Sequence, residues 1–212
     1  MIIPDLNFSI EGAEALRFAA SPHIAFNLKI TNNTDQPIHS VILKSQVQID
    51  VSRRQYTAAE QIALADLFGE ASRWGETLRS VLWANTTTVI SSFEREVQAS
   101  LQVPCTFDFN VATTKFFASI QQGEVPVSFF FNGTIFYADN EGGLRVVHIP
   151  WEKEATYRLS GRVWQDMMNA YYPNTAWLCL ERSAFERLSA FKTRHGLPTF
   201  EEALAKAMEA AS

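Results

Sequence analysis

Cys105, Asp108 and His148 are the nearest approach to a nucleophilic constellation in the sequence. A cysteine attacks as its thiolate, and near neutral pH the thiolate needs a neighbouring base, which these residues would supply if the fold brought them together. The competing reading is plainer: Cys105 follows Pro104 at a strand start, and Asp108 lies on the wet phase of the same strand. The expectation is therefore that the three are not catalytic. Asp139, Glu141, Glu152 and Glu154 could line a glycosidase-like pair of carboxylates, but acidic residues in a turn and beside Lys153 are ordinarily just solvated. His23, His39, His148 and His195 are scattered without HxH, HxxxH or HxxEH spacing, and no cysteine lies near enough to complete a zinc pattern. The motifs GxGxxG, GxxxxGK[ST] and GxSxG are missing, so the sequence predicts no metal, no cofactor and neither nucleotide nor α/β-hydrolase chemistry.

Aromatic residues are the other candidates, because exposed Trp, Tyr, Met and Arg anchor protein interfaces. Trp74, Trp151, Trp164, Tyr171, Tyr172 and Trp177, with Trp83 and Met167, are more aromatic and sulfur-bearing material near predicted edges and loops than a core needs. Some would form a docking surface. The alternative is that they seal helices onto a sheet. Arg53-Arg54, an adjacent basic pair, reads as the solvated end of a strand.

The elements that would position these groups are organised around EVPVSFFFNGTIFY, Glu124 to Tyr137, the most apolar and aromatic run in the chain. Its lack of charge predicts a central strand covered on both faces. Leu6, Phe8 and Ile10 alternate until Gly12 breaks the pattern, and Ile24 to Ile30 and Val41 to Val51 alternate on either side of a turn, predicting an antiparallel pair. Thr57-Ala58-Ala59-Glu60 makes a capping box opening a helical insertion at about 57–82. Strands follow near 86–90, 97–103 and 107–111, then a short helix carrying Phe116 and Phe117 leads into the central strand. A hairpin strand at 144–149 and a last strand at 155–159 complete about nine. From Ser160 the pattern turns helical, with further capping boxes at Ser183-Glu186 and Thr199-Glu202. The expected fold is α+β: an antiparallel β-sandwich, Ig-like or similar, over 1–159, with a C-terminal helical cap over 160–212 in the same folding unit.

Composition agrees with a globular protein: 47% of residues are hydrophobic and 19% charged, and 16 Phe, 5 Tyr and 5 Trp supply large units of burial. A formal net charge of −5 argues against a surface built for nucleic acid. MIIPDLNF has neither a basic segment nor a long apolar one, and Val125 to Tyr137 falls short of the roughly twenty apolar residues of a membrane span, so a cytoplasmic location is expected. Cys105 and Cys179 read as small hydrophobes of a reducing compartment, and the N-x-T triplets at Asn32, Asn85 and Asn132 as chance matches.

The segments RRQYTAAEQIALADLFGEASRWGETLRSVLW, VPCTFDFNVATTKFFASIQQGEVPVSFFFNGTIFY and IPWEKEATYRL resemble a bacterial family known as a domain of unknown function, over nearly the full length. That resemblance implies genes near those of uptake NiFe hydrogenase and its maturation, and hence an accessory role; it carries over no catalytic residue. The resulting expectation is a non-catalytic protein-interaction or assembly accessory protein whose partner is another protein, such as a hydrogenase component, with homo-oligomerisation left open. The alternatives are an enzyme with a cleft between sandwich and helical cap, and a carrier holding an apolar ligand among its Phe side chains. An exposed apolar patch, a polar cleft with perturbed titrating groups, or an internal cavity distinguishes the three.

Overall fold

The computed structural model describes residues 3–106, 111–120, 122–139, 142–176 and 178–210, which contain eight strands and seven α-helices. Period-two patterning sets one face of each long strand inward. β1 (Leu6–Ala15), β2 (His23–Asn32) and β5 (Glu96–Pro104) form an antiparallel sheet in the order β1-β2-β5. The second antiparallel sheet has β4 (Val81–Ile90), β3 (Ile38–Ile49) and β6 (Glu124–Ala138) side by side. β7 (Leu144–His148) pairs the last part of β6, and β8 (Glu154–Ser160) pairs its first part. The fold is the expected α+β sandwich.

Its core is where the inner faces meet. Phe8 of β1 stacks on Phe131 of β6 with centroids 4.5 Å apart, and Phe26 of β2 meets Phe129 of β6 at 4.9 Å and Trp83 of β4 at 6.0 Å. Each such ring contributes about 1.5–3 kcal/mol through burial, and edge-on or offset packing adds to it. The core continues into helices. Trp83 touches Phe117 of α4 (Val111–Ser119), and Phe117 stacks on Trp164 of α5 (Gly161–Tyr171) at 4.4 Å. Between β3 and β4 lies the expected helical insertion: α1 (Ala58–Ala63), α2 (Ala65–Phe68) and α3 (Trp74–Thr77).

Several local expectations are corrected. β2 and β3 are not partners: the turn between them carries the chain from one sheet to the other, because each strand's apolar face needs a facing sheet more than a neighbouring strand. Asn32 holds that crossing. Its buried side chain donates to Gln36 O and Glu94 O, both at 2.8 Å, and accepts from the Thr34 hydroxyl. β1 does not stop at Gly12; a register shift between Ile10 and Gly12 lets pairing resume to Ala15. β6 is not sealed on both sides. Val125, Val127, Phe129, Phe131, Ile135 and Tyr137 face the core, whereas Phe130 and Phe136 on the other face are half-buried and Asn132 is exposed. The strand expected over 107–111 falls mostly on 107–110, outside the described residues.

Two compact units are present, 1–174 and 175–212, and α5, which opens the stretch expected as a cap, belongs to the first. The second contains α6 (Arg182–Arg194) and α7 (Phe200–Glu209), with Phe185 and Phe200 in contact at 5.4 Å. Thr199 caps α7 by accepting from Glu202 N, but the expected box at Ser183 is not formed: the N-cap of α6 falls two residues earlier, at Glu181, with no side-chain cap. The helices of the described residues include none long and apolar enough to cross a membrane.

Gly133 is the point where β6 has no room for a side chain. Its φ is +139°, and a Cβ would sit 2.0 Å from Ile42 O on β3. Gly133→Ala is expected to destabilise by about 3 kcal/mol or more through combined strain and overpacking. Gly69→Ala, also at positive φ but with open space around it, is expected to cost about 1–3 kcal/mol by urea unfolding, through backbone strain alone.

Candidate functional site

At one end of the five-stranded sheet, the segment leaving β3 faces the strands β6 and β8 across a cleft of about 930 Å³. It is built from the backbone outward. Asp50 N donates to Pro126 O at 2.9 Å, tying the exit of β3 to β6, and a 3-10 turn over Val51–Arg53 redirects the chain. The buried Asp50 carboxylate accepts from Ser80 Oγ at 3.1 Å and Ser128 Oγ at 2.5 Å, so two hydroxyls satisfy it.

Arg54 is the frame of the cleft. Its guanidinium makes a two-pronged pair with Glu60, Nη1 to Oε2 at 3.0 Å and Nη2 to Oε1 at 2.8 Å, and also donates to Gln122 O at 2.7 Å and Glu124 O at 3.3 Å. Both side chains are almost fully buried. The guanidinium also lies 5.0 Å from the Tyr56 ring centroid. Glu60 closes the capping box as well, since Thr57 N donates to its Oε2 at 2.9 Å while Thr57 Oγ1 accepts from Glu60 N. Burial pushes the Tyr56 phenol up to about 12, and its hydroxyl donates to Val51 O at 2.7 Å. The expected solvated basic pair is thus divided: Arg54 is buried and committed, and only Arg53 is exposed.

The cleft is also lined by Arg158 of β8, paired in register with Pro126 and exposed. Among the described residues it has no ion-pair partner. Arg53 approaches Asp50 only at 3.8 Å, and Asp50 is already satisfied by its two serines. A smaller recess of about 180 Å³ shares Arg53, Pro126 and Arg158 with the main cleft and reaches Asp50 and Tyr157. Two exposed guanidinium groups can hold an anion through paired hydrogen bonds, and the exposed carboxylate of Glu124 lines the same cleft. Among the described residues, the lining includes neither His nor Cys. Among the described residues no cluster of His, Cys, Asp and Glu is arranged to hold a metal.

The residues singled out in the sequence lie elsewhere. Cys105 is buried after β5 in the three-stranded sheet and its thiol donates to Val103 O at 3.2 Å. Burial pushes that thiol up to about 12, leaving it protonated at neutral pH, the opposite of what a nucleophile needs. His148 ends β7 in the other sheet, exposed, with Nδ1 3.4 Å from Gly133 O, and no hydrogen bond joins it to Cys105. Asp108 lies outside the described residues. Asp139 is held by Arg145 Nε and Gly143 N, both at 2.7 Å, Glu152 and Glu154 are exposed, and Glu141 is outside the described residues.

Of the expected interface aromatics, Trp74 and Trp164 are core residues. The Trp74 indole donates to Gly69 O at 3.0 Å and packs on Tyr56 and Phe68, and Trp164 lies on Phe117. Tyr171 and Tyr172 are half-buried, and Trp177 lies outside the described residues. Trp151 stands 88% exposed. Sequence reasoning missed Arg158 altogether; only Thr57-Glu60, recognised as a cap, marked the place where Arg54 would be fixed.

Together, fold and cleft define a β-sandwich protein of the α+β class with an arginine-lined recess at one sheet end. Residues 3–212 match DUF6084, a family of unknown function, and the chain belongs to that family. No curated protein matches it. Solved structures that it resembles include the CARDB domain of a Pyrococcus furiosus protein in complex with di-metal ions, at 15% identity over 74% of this chain and 92% of that one, with a TM-score of 0.30. β-Glucosidase 3B from Thermotoga neapolitana, in complex with α-D-glucose, matches at 12% identity over 73% of this chain but 17% of its own, with a TM-score of 0.28.

Two outcomes follow for solution measurements. Glu60→Ala leaves the Arg54 guanidinium buried without its counter-charge and is expected to lower unfolding stability by about 3–5 kcal/mol, against about 1 kcal/mol for Thr57→Ala. A thiol reagent at neutral pH is expected to label Cys179, which is exposed, in the native protein, and Cys105 only after denaturation, as read by intact-mass spectrometry.

Proposed function

We propose that the protein is a non-catalytic interaction or assembly accessory protein, and that the cleft between Arg53 and Arg158 receives an acidic segment of its partner. The observation that carries this reading is the two exposed guanidinium groups, Arg53 and Arg158, that line one pre-built recess beside a single exposed carboxylate, Glu124, in a chain of net charge −5. Arg54, locked by Glu60, keeps the recess open and contributes little free charge of its own. An acidic peptide fits better than an apolar ligand, because desolvating these cations against an apolar group would go uncompensated. The family resemblance supplies the partner's identity in this reading: a component of a redox enzyme such as a NiFe hydrogenase, met in the cytoplasm.

Affinity purification of the tagged chain from its native host, followed by mass spectrometry, tests it. A stoichiometric partner is expected, weakening as salt is raised. Arg53→Ala and Arg158→Ala should each weaken the complex about five- to tenfold without lowering the unfolding midpoint of the isolated protein. A partner retained equally by the Arg53→Glu, Arg158→Glu double variant, or recovery of the protein alone, would overturn the reading.

A further inference from the structure

The two recesses at the start of β6 overlap, and they do not carry the same charges. Arg53, Pro126 and Arg158 line both, whereas Glu124 lines only the larger one. The carboxylate of the smaller recess, Asp50, is buried and accepts from Ser80 and Ser128. Glu60, in the larger, is committed to Arg54. The shared wall is therefore cationic, and the larger recess continues from it to one exposed carboxylate. Gln55 and Gln122 line that recess without adding charge.

The backbone fixes this order. Pro126 stands opposite Arg158, and Glu124 opposite Ser160, in the pairing of β6 with β8. Val125 and Leu159 are fully buried in the core, so Glu124, Pro126 and Arg158 share the other face of the sheet. On that face Glu124 and Arg158 are diagonal neighbours, a relation that spans about 7–8 Å and that long side chains can bridge. Glu124 O accepts from Arg54 Nε at 3.3 Å and Gly123 O from Gly161 N at 3.0 Å, so the carboxylate stands on an anchored backbone. The ion pairs of the cleft are Arg53 with Asp50 and Arg54 with Glu60; among the described residues neither Glu124 nor Arg158 has one.

Two cations beside one anion select an occupant by charge. A segment made only of acidic residues sets a carboxylate against Glu124 once it extends into the larger recess, and like charges in contact oppose binding. A segment in which a basic residue neighbours an acidic one leaves no such clash. Resting on the reading of this cleft as the seat of a partner's acidic segment, we propose that Glu124 determines its specificity. The occupant is a mixed-charge segment: its carboxylate is held by Arg53 and Arg158, and the Lys or Arg beside that carboxylate meets Glu124.

NMR titration of the full chain with two capped peptides of equal length, one all Glu and one alternating Glu and Lys, tests this. Glu124→Gln should strengthen binding of the all-Glu peptide and weaken that of the alternating peptide, each about two- to fivefold. The opposite signs are decisive, because neither misfolding nor the altered net charge yields both. Arg158→Gln should weaken both peptides. Peptides that fail to bind, or that bind Arg158→Gln as well as the wild type, would overturn the reading of the cleft and this proposal with it. Peptides weakened by Arg158→Gln but shifted by Glu124→Gln in one common direction, or not at all, would leave the cleft standing and overturn the role of Glu124.

Discussion

Phe26 is the contact on which the sandwich depends. Its ring, on β2, meets Trp83 of β4, Phe129 of β6 and Tyr157 of β8, so one side chain of the smaller sheet touches three strands of the larger one. Two sheets of alternating strands have no reason to adhere except through such inner-face burial. The contact also passes outward. Trp83 carries it to Phe117 and Phe117 to Trp164, so α4 and α5 are fixed by the same aromatic chain that joins the sheets. Trp83 and Trp164, two of the aromatics that looked surplus to a core, belong to this extension of it.

The cleft depends on a different kind of force. Arg54 and Glu60 are buried together, and a buried ion pair is retained only if its hydrogen bonds are nearly all made. Here they are: the guanidinium is spent on one carboxylate, two carbonyls and the Tyr56 face, and the carboxylate also serves a helix N-terminus. One pair thereby positions α1 and the approach to β6, and leaves Arg53, Arg158 and Glu124 as the charges of the cleft that face solvent. Framework and exposed charge are separated between adjacent residues of the same dipeptide.

Much of the element inventory was legible, because hydrophobic periodicity and capping chemistry are local. The alternation of Ile24 to Ile30, the hairpin after Tyr137 and the box at Thr57-Glu60 appear in the structure as read. Where reading failed, competition among neighbours decided the outcome. Ser183-Glu186 has the residues of a capping box, but α6 starts one residue before it. Gly12 looked like a terminus, yet pairing with β2 resumes beyond it after a shift of register. The site was less legible still: Arg53 and Arg54 are adjacent and chemically alike, and no local pattern tells that one is buried in a salt bridge while its neighbour is exposed.

By itself the sequence determined where most of the strands and helices lie, which face of the alternating strands is apolar, and where the most aromatic strand lies. These follow from side-chain spacing against backbone geometry, which needs no knowledge of distant residues. Only the tertiary structure decided that β2 and β3 belong to different sheets, that Cys105 is buried with an unreactive thiol, and that Arg158 comes to line one recess with Arg53. The reason is physical: Arg53 and Arg158 stand more than a hundred positions apart, and their juxtaposition is set by the pairing of β3 with β6 and of β6 with β8, whose register depends on every inward-facing side chain along those strands at once.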